Sequence, residues 1–331
     1  MRNKSIESDS LRRVLPPAHS ANPENGFCFH LPYGIRSLRY AIFYVILSFL
    51  GLPAYPSAVF AQNGKTFMWK VESQGPVVYI LGSVHFLKKE NYPLNAKIEN
   101  AFEVSDALIV EANIADMNKI DPQFIVGKAI YGENDSLKNH VAPETYEFIK
   151  QEATRLGLPM EIVDRQKPWI LALTLASLEI MKLGYDPQHG IDQYFLSKAG
   201  RVKRVLELEG FAYQVNLLSG LSAEEQEMLL LLTLKDLKNA GEEVDNLVSA
   251  WAAGDAQGVE ATLMKKLQES PKIHSFYEKF LYLRNREMVS KIEFYLKTNG
   301  IYFVVVGAAH LIGEKGIIQM LKAKGYKVQQ R

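Results

Sequence analysis

The chain has 331 residues, 47% of them hydrophobic and 23% charged, with a formal net charge of +1. That is ordinary globular composition with ample chain for a core, and it gives no support for nucleic-acid binding. The one cysteine, Cys28, precedes the segment read below as a signal peptide. A mature chain would therefore have no thiol for disulfides, a thiolate nucleophile or a cysteine-based metal site.

Residues 1–61 carry six basic and three acidic groups, leaving 32 basic against 34 acidic in the remainder. Within that first stretch Arg36 and Arg39 precede an apolar run from Ala41 to Leu52, followed by Pro53, Pro56 and Val59-Phe60-Ala61. A basic flank, a short apolar core and small residues at the end describe a secretory signal peptide. The core falls short of the roughly 20 residues a membrane span needs. We expect residues 1–61 to be an N-terminal extension and signal peptide, and 62–331 one exported domain, periplasmic or extracellular. The alternative is an inner-membrane anchor formed by an uncleaved signal.

In the mature part, Thr66–Val71 and Val77–Leu81 read as a hairpin, Pro93–Val104 as a helix, and Ala107–Glu111 as a buried strand ending in a carboxylate. That strand is expected beside Val77–Leu81, as a strand–helix–strand unit. The middle reads as helical: Pro143–Leu156, Trp169–Leu183 (apolar almost all round, hence buried) and Ile191–Ala199. A strand over Val202–Leu208 leads to Glu209, and Ser222 with Glu225 forms a capping box that opens a helix through Leu237. Its Leu229–Leu232 run reads as core or partner-packing surface rather than a cofactor site. Helices over Val244–Ala253, Ala256–Leu267 and Ile273–Thr298 follow, and then strand Tyr302–Val306, helix Glu314–Lys324 and a strand around Tyr326–Gln329.

Two apolar strands end in the same signature about 225 residues apart: Gly82-x-x-His85 and Gly307-x-x-His310. Apolar runs without alternation indicate strands buried on both faces of a parallel sheet, and ligands collect outside the carboxyl ends of such strands. The fold class is therefore α/β. Two pseudo-repeated strand–GxxH–helix halves form one mixed sheet, and a long helical insertion (about 191–298) lies between them and is expected to cover the site. Glu111 and Glu209 both end apolar strands, where a carboxylate must be solvated, paired or bound to metal; Glu207 is the solvent-facing alternate. Asp192, after Gly190, suits a helix cap or a functional role equally. His189 reads as a loop histidine, His140 and His274 lack supporting context, and Arg284 and Arg286 lie on a charged helix from which Arg284 could reach the site. Two imidazoles with one or two carboxylates suit a divalent metal in a nitrogen/oxygen site. The same groups without metal could serve as base and oxyanion stabiliser.

Taken in order, the paired Gly82/His85 and Gly307/His310, then Glu111, Gly190 with Asp192, Leu208-Glu209 with Gln214, and Arg284-Asn285 resemble the TraB/GumN family, which includes the Tiki proteases. The resemblance covers roughly Thr66–Gln329, is similar to the bacterial GumN-like branch, and implies an α/β fold related to the erythromycin esterase and ChaN-like group. It further implies metal-dependent peptide-bond hydrolysis with a peptide or protein substrate. Metal (Mn, Co or Zn) would be held by His85, His310 and Glu111, with Glu111, Arg284 and Glu209 as the catalytic set. The same kinship leaves a non-catalytic haem- or iron-binding protein, or a metal-free esterase-like hydrolase, as alternatives. Gly210 departs from the pattern, since GumN-like members commonly place Thr or Ser after the Leu-Glu pair.

Overall fold

The computed structural model describes residues 64–114, 120–200, 202–264 and 271–331, so the signal-peptide reading and Cys28 lie outside the described residues. Six strands form one sheet: β1 (Met68–Glu72), β2 (Val77–Ser83), β3 (Ala107–Val110), β4 (Arg204–Glu207), β5 (Ile301–Gly307) and β6 (Lys327–Gln330). Their spatial order is β4-β3-β5-β2-β1-β6. β4, β3, β5 and β2 are mutually parallel, and β1 runs against both β2 and β6. The mixed α/β architecture is the one the apolar runs imply.

The strand order carries one correction. Glu111's strand was expected beside that of His85, but β5 lies between them and pairs with both. Every residue of β5 after Ile301 is buried, so this strand, with no polar edge to show to water, takes the centre. In consequence Glu111 neighbours the strand of His310.

Helices cover both faces. Phe303 of β5 packs with Phe102 and Phe195 at ring separations of 5.6 and 4.8 Å. These come from helices Ala96–Glu103 and Ile191–Ala199. Its neighbour Tyr302 points the other way, as strand alternation requires, and meets Tyr295 of helix Leu283–Tyr295 at 4.9 Å. Helix Pro168–Lys182 is apolar all round because it serves two cores. Trp169, Ile170 and Leu173 join the sheet's core, whereas Leu171 and Leu175 join a second cluster with Ile149, Leu230 and Leu234. The leucine run on helix Ala223–Asp236 thus contributes Leu230 to this core, and the capping box at Ser222 is present.

Several elements differ from expectation. The stretch read as one helix over Ile273–Thr298 is divided into helix Pro271–Tyr277, a π-helical turn Glu278–Tyr282 and helix Leu283–Tyr295. Helices Pro122–Ala129 and Phe211–Ser219 have no counterpart in the sequence reading. No helix among the described residues is long and apolar enough to cross a membrane.

Candidate functional site

The parallel strands bring their carboxyl ends to one edge, and the chemistry gathers there. Gly82 pairs with Val306 and Ser83 with Gly307, so the two Gly-x-x-His motifs lie side by side, staggered by one residue. Glu111 follows β3 on the other side of β5, and Glu209 follows β4 beyond it. The set is deeply buried: His85 and Glu111 are 5% exposed, Asp192 2%, and His310, Arg284 and Asn285 0%.

Close backbone approach explains the glycines. A Cβ on Gly82 would meet the Phe67 ring at 2.4 Å, and one on Gly190 would meet the His85 carbonyl oxygen at 2.2 Å. Gly190 therefore lets helix Ile191–Ala199 start against the first motif, and this delivers Asp192 to His85. Gly190→Ala is expected to push the two apart, cutting any activity as severely as Asp192→Ala does while far-UV circular dichroism stays native. Gly307 serves differently, with its N–H donating to Glu111 Oε1 at 2.6 Å.

Each imidazole is oriented through Nδ1. His85 Nδ1 lies 2.7 Å from Asp192 Oδ2, an oxygen that also accepts from Ser83 Oγ at 2.8 Å. Burial alone would lower the His85 pKa, but the charge and hydrogen bond of Asp192, with the charge of Glu111, outweigh it and raise the value. His310 Nδ1 lies 2.5 Å from Asn285 Oδ1, a neutral partner. Burial, reinforced by the positive charge of Arg284, holds its pKa well below the ordinary imidazole value. His310 Nε2 is buried without a hydrogen-bond partner, 3.7 Å from Glu111 Oε1.

Opposite shifts give opposite pH dependences. Below 6.5, the ordinary value, an unfolded chain takes up a proton that folded His310 refuses, so acidification destabilises by up to about 1.4 kcal/mol per pH unit. His85 contributes stability that is full below its unfolded value and is lost as pH rises through its raised folded value. Denaturation of metal-free protein from pH 4 to 8 should show the acid limb, and His310→Gln should flatten it (~1.4 kcal/mol per unit at most).

The carboxylates share one guanidinium. Arg284 donates from Nε to Glu209 Oε1 (2.7 Å) and from Nη2 to Glu209 Oε2 and Glu111 Oε2 (both 2.8 Å). Its Nη1 donates to the Phe280 carbonyl at 2.9 Å, within the π-helical turn. Gln214 Nε2 bridges Glu111 and Glu209, 3.1 Å from each. Arg284, which the family resemblance counts in the catalytic set, thus meets the site's own carboxylates. Four of its five N–H groups are spent on Glu111, Glu209 and Phe280, which makes it a clamp that positions Glu111.

The insertion supplies Asp192, Gln214, Trp251 and the adjacent pair Arg284 and Asn285, which come from four helices and all meet this edge; the Trp251 indole N–H donates to the Gly82 carbonyl at 2.6 Å. Sequence reasoning missed Ser83 and Trp251. Ser83 stands inside the first motif, where a hydroxyl beside a histidine was the available signal, while nothing marked Trp251. Other candidates lie elsewhere. His140 pairs with Asp135 at 2.7 Å and stacks on Tyr131, Arg286 pairs with Glu278, and Glu207 accepts from the Asn113 N–H. His189 sits on its loop 4.0 Å from Asp186, and His274 is exposed. Gly210 has φ +104°, a conformation rarely open to residues with a Cβ. A Thr or Ser there would require a different turn.

Among the described residues no three His, Cys, Asp or Glu side chains group as a ready metal cluster. The model of the TraB/PrgY/gumN family matches residues 67–330. The chain belongs to this family. It is 27% identical over 245 residues to the uncharacterized protein YbaP of Escherichia coli (strain K12), covering 74% of this chain and 87% of YbaP. The YbaP of Shigella flexneri gives the same figures. An uncharacterized protein of Treponema pallidum (strain Nichols) is 21% identical over 282 residues, covering 82% and 84% of the two chains. No solved structure matches. Within the TraB/PrgY/gumN region fall both histidine motifs and every residue of the network described above.

Proposed function

We propose that this TraB/PrgY/gumN protein is a metal-dependent hydrolase, a peptidase, whose reacting centre lies between His310, His85 and Glu111. The observation that carries this reading is the unpartnered Nε2 of His310 facing a carboxylate oxygen at 3.7 Å. Two acceptors so placed, one of them buried and unsatisfied, need something electropositive between them. Charge points the same way. Glu111 and Glu209 share the one guanidinium and Asp192 lies against His85, which leaves two negative charges when both imidazoles are neutral, and buried charge demands compensation.

By donor chemistry, two imidazoles and a carboxylate suit a divalent ion such as Mn, Co or Zn, although the three side chains do not already stand grouped around one point. His310 would offer Nε2, His85 would use Nε2 because Asp192 holds its Nδ1, and Glu111 would offer the lone pair that Gly307 leaves on Oε1. Asp192 and Asn285 orient the rings, as partners of ligating histidines do, and Arg284 with Gln214 fixes the carboxylate. A metal held there would acidify a water and polarise a carbonyl. The surrounding burial excludes bulk solvent and strengthens each electrostatic contact.

A metal-free second reading has its own support in His85, whose pairing with Asp192 raises its pKa and suits it to proton transfer. The test is metal content of chelator-free protein by mass spectrometry, beside cleavage of an unfolded peptide library with Mn, Co or Zn added. Metal uptake with metal-dependent cleavage supports the first reading, and cleavage indifferent to chelator the second. Protein that takes up no metal and cleaves nothing sinks both.

We place this work outside the cytoplasm. The family match begins at residue 67, just beyond the segment read as a signal peptide. N-terminal sequencing of protein from the native host should find a start near Gln62; a mature form retaining Arg36–Leu52 would indicate a membrane anchor instead.

A further inference from the structure

Asn285 follows Arg284 on helix Leu283–Tyr295, fully buried. Its Nδ2 donates to the main-chain carbonyl of Lys315 at 2.8 Å, and its Oδ1 stands 2.5 Å from His310 Nδ1. A main-chain carbonyl can only accept, so the amide must turn its NH2 group towards Lys315 and its oxygen towards the ring. An amide oxygen cannot bond a bare ring nitrogen, so the proton of neutral His310 resides on Nδ1. We propose that Asn285, aligned by the Lys315 carbonyl, is a positioning residue that holds His310 in the Nδ1–H tautomer and keeps Nε2 a bare lone pair.

The alternative tautomer would set two lone pairs against each other across 2.5 Å. It would also aim an N–H at Glu111 Oε1 from 3.7 Å, beyond hydrogen-bond length. The unpartnered state of Nε2 follows from the same arrangement. His85 is held differently, since its partner Asp192 is a carboxylate that also supports the doubly protonated ring, whereas the amide of Asn285 brings no charge. The two motifs are alike in sequence, but the helical insertion gives one histidine an anionic partner and the other a neutral one. The second thereby becomes the standing lone-pair donor. Its use in catalysis rests on the hydrolase reading above; the tautomer does not.

The test is two-bond ¹H–¹⁵N correlation on the full, metal-free chain with ¹⁵N-labelled histidine. His310 should show a protonated Nδ1 and a bare Nε2. Asn285→Leu, which removes the acceptor at similar volume, should abolish that preference and weaken zinc binding by about 10–100-fold. Asn285→Asp keeps an acceptor at Nδ1 and should retain the tautomer. A wild-type His310 protonated on Nε2 overturns the proposal, as does a folded Asn285→Leu with the tautomer unchanged. The wild-type spectrum decides the matter alone if the leucine variant does not fold. A chain that shows the Nδ1–H tautomer but neither takes up metal nor cleaves peptide would sink the hydrolase reading and leave this one standing.

Discussion

Arg284→Ala is expected to destabilise the fold by about 3–5 kcal/mol, the cost of breaking a buried ion pair by removing one partner. The guanidinium is 0% exposed, and it is the group that keeps Glu111 and Glu209 apart electrostatically and together geometrically. Without it two carboxylates, both bonded to Gln214, would face each other in a dry site with only an amide between them. The Phe280 carbonyl in the π-helical turn would lose its side-chain donor as well. Arg284→Lys should recover little, because an ammonium cannot reproduce the bidentate fork on Glu209 while reaching Glu111. Urea denaturation of both variants at neutral pH is the measurement. Arg284→Ala with a wild-type midpoint and lost turnover would instead give the arginine a direct role on the reacting atoms. Adding Glu209→Gln to Arg284→Ala should recover part of the loss, since it removes one of the stranded charges.

Local sequence pattern gives no sign of this stabilising role for Arg284, and the reason is topological. Both Gly-x-x-His motifs, the strand ends at Glu111 and Glu209 and the α/β class are legible from local pattern, because parallel strands buried on both faces leave uninterrupted apolar runs. Gly190 with Asp192 and Gln214 could be singled out, but nothing local says what they touch. Asp192 reaches His85 across 107 positions and Arg284 reaches Glu111 across 173. The order of the strands was equally hidden, since β5 enters between β2 and β3 from the far end of the chain. Helix Phe211–Ser219 escaped notice because it starts at Gly210, with no side-chain cap to announce it. The π-turn within the last long helix was masked because helix continues directly on both sides of it. Burial is the remaining lesson. An arginine on a charged helix reads as solvated, and only the fold shows that position 284 faces inward while Arg286 faces out.

His310→Ala should abolish metal uptake and hydrolysis together while leaving a folded protein. The imidazole bonds through Nδ1 to Asn285, so its loss strands one amide oxygen at a cost of about 1–3 kcal/mol and leaves a cavity at a fully buried position besides. Nε2 contributes no bond to the fold, so the functional penalty should far exceed the structural one. That disproportion is the signature of a ligand. Glu111→Gln is a companion with a structural cost of its own. Arg284 remains neutralised by Glu209, but the new NH2 must face either the Gly307 N–H or the donors of Arg284 and Gln214. Some stability is therefore lost while the charge facing Nε2 is gone, and metal occupancy should fall further than the folded fraction. A purely structural His310 predicts the reverse pattern, with activity tracking thermal stability across His310→Ala, His310→Gln and Glu111→Gln. Metal content, peptide cleavage and melting temperature measured on the same three preparations separate the two. If cleavage survives in His310→Ala in proportion to folded protein, the centre proposed between His310 and Glu111 is wrong, and the search moves to His85 and Asp192.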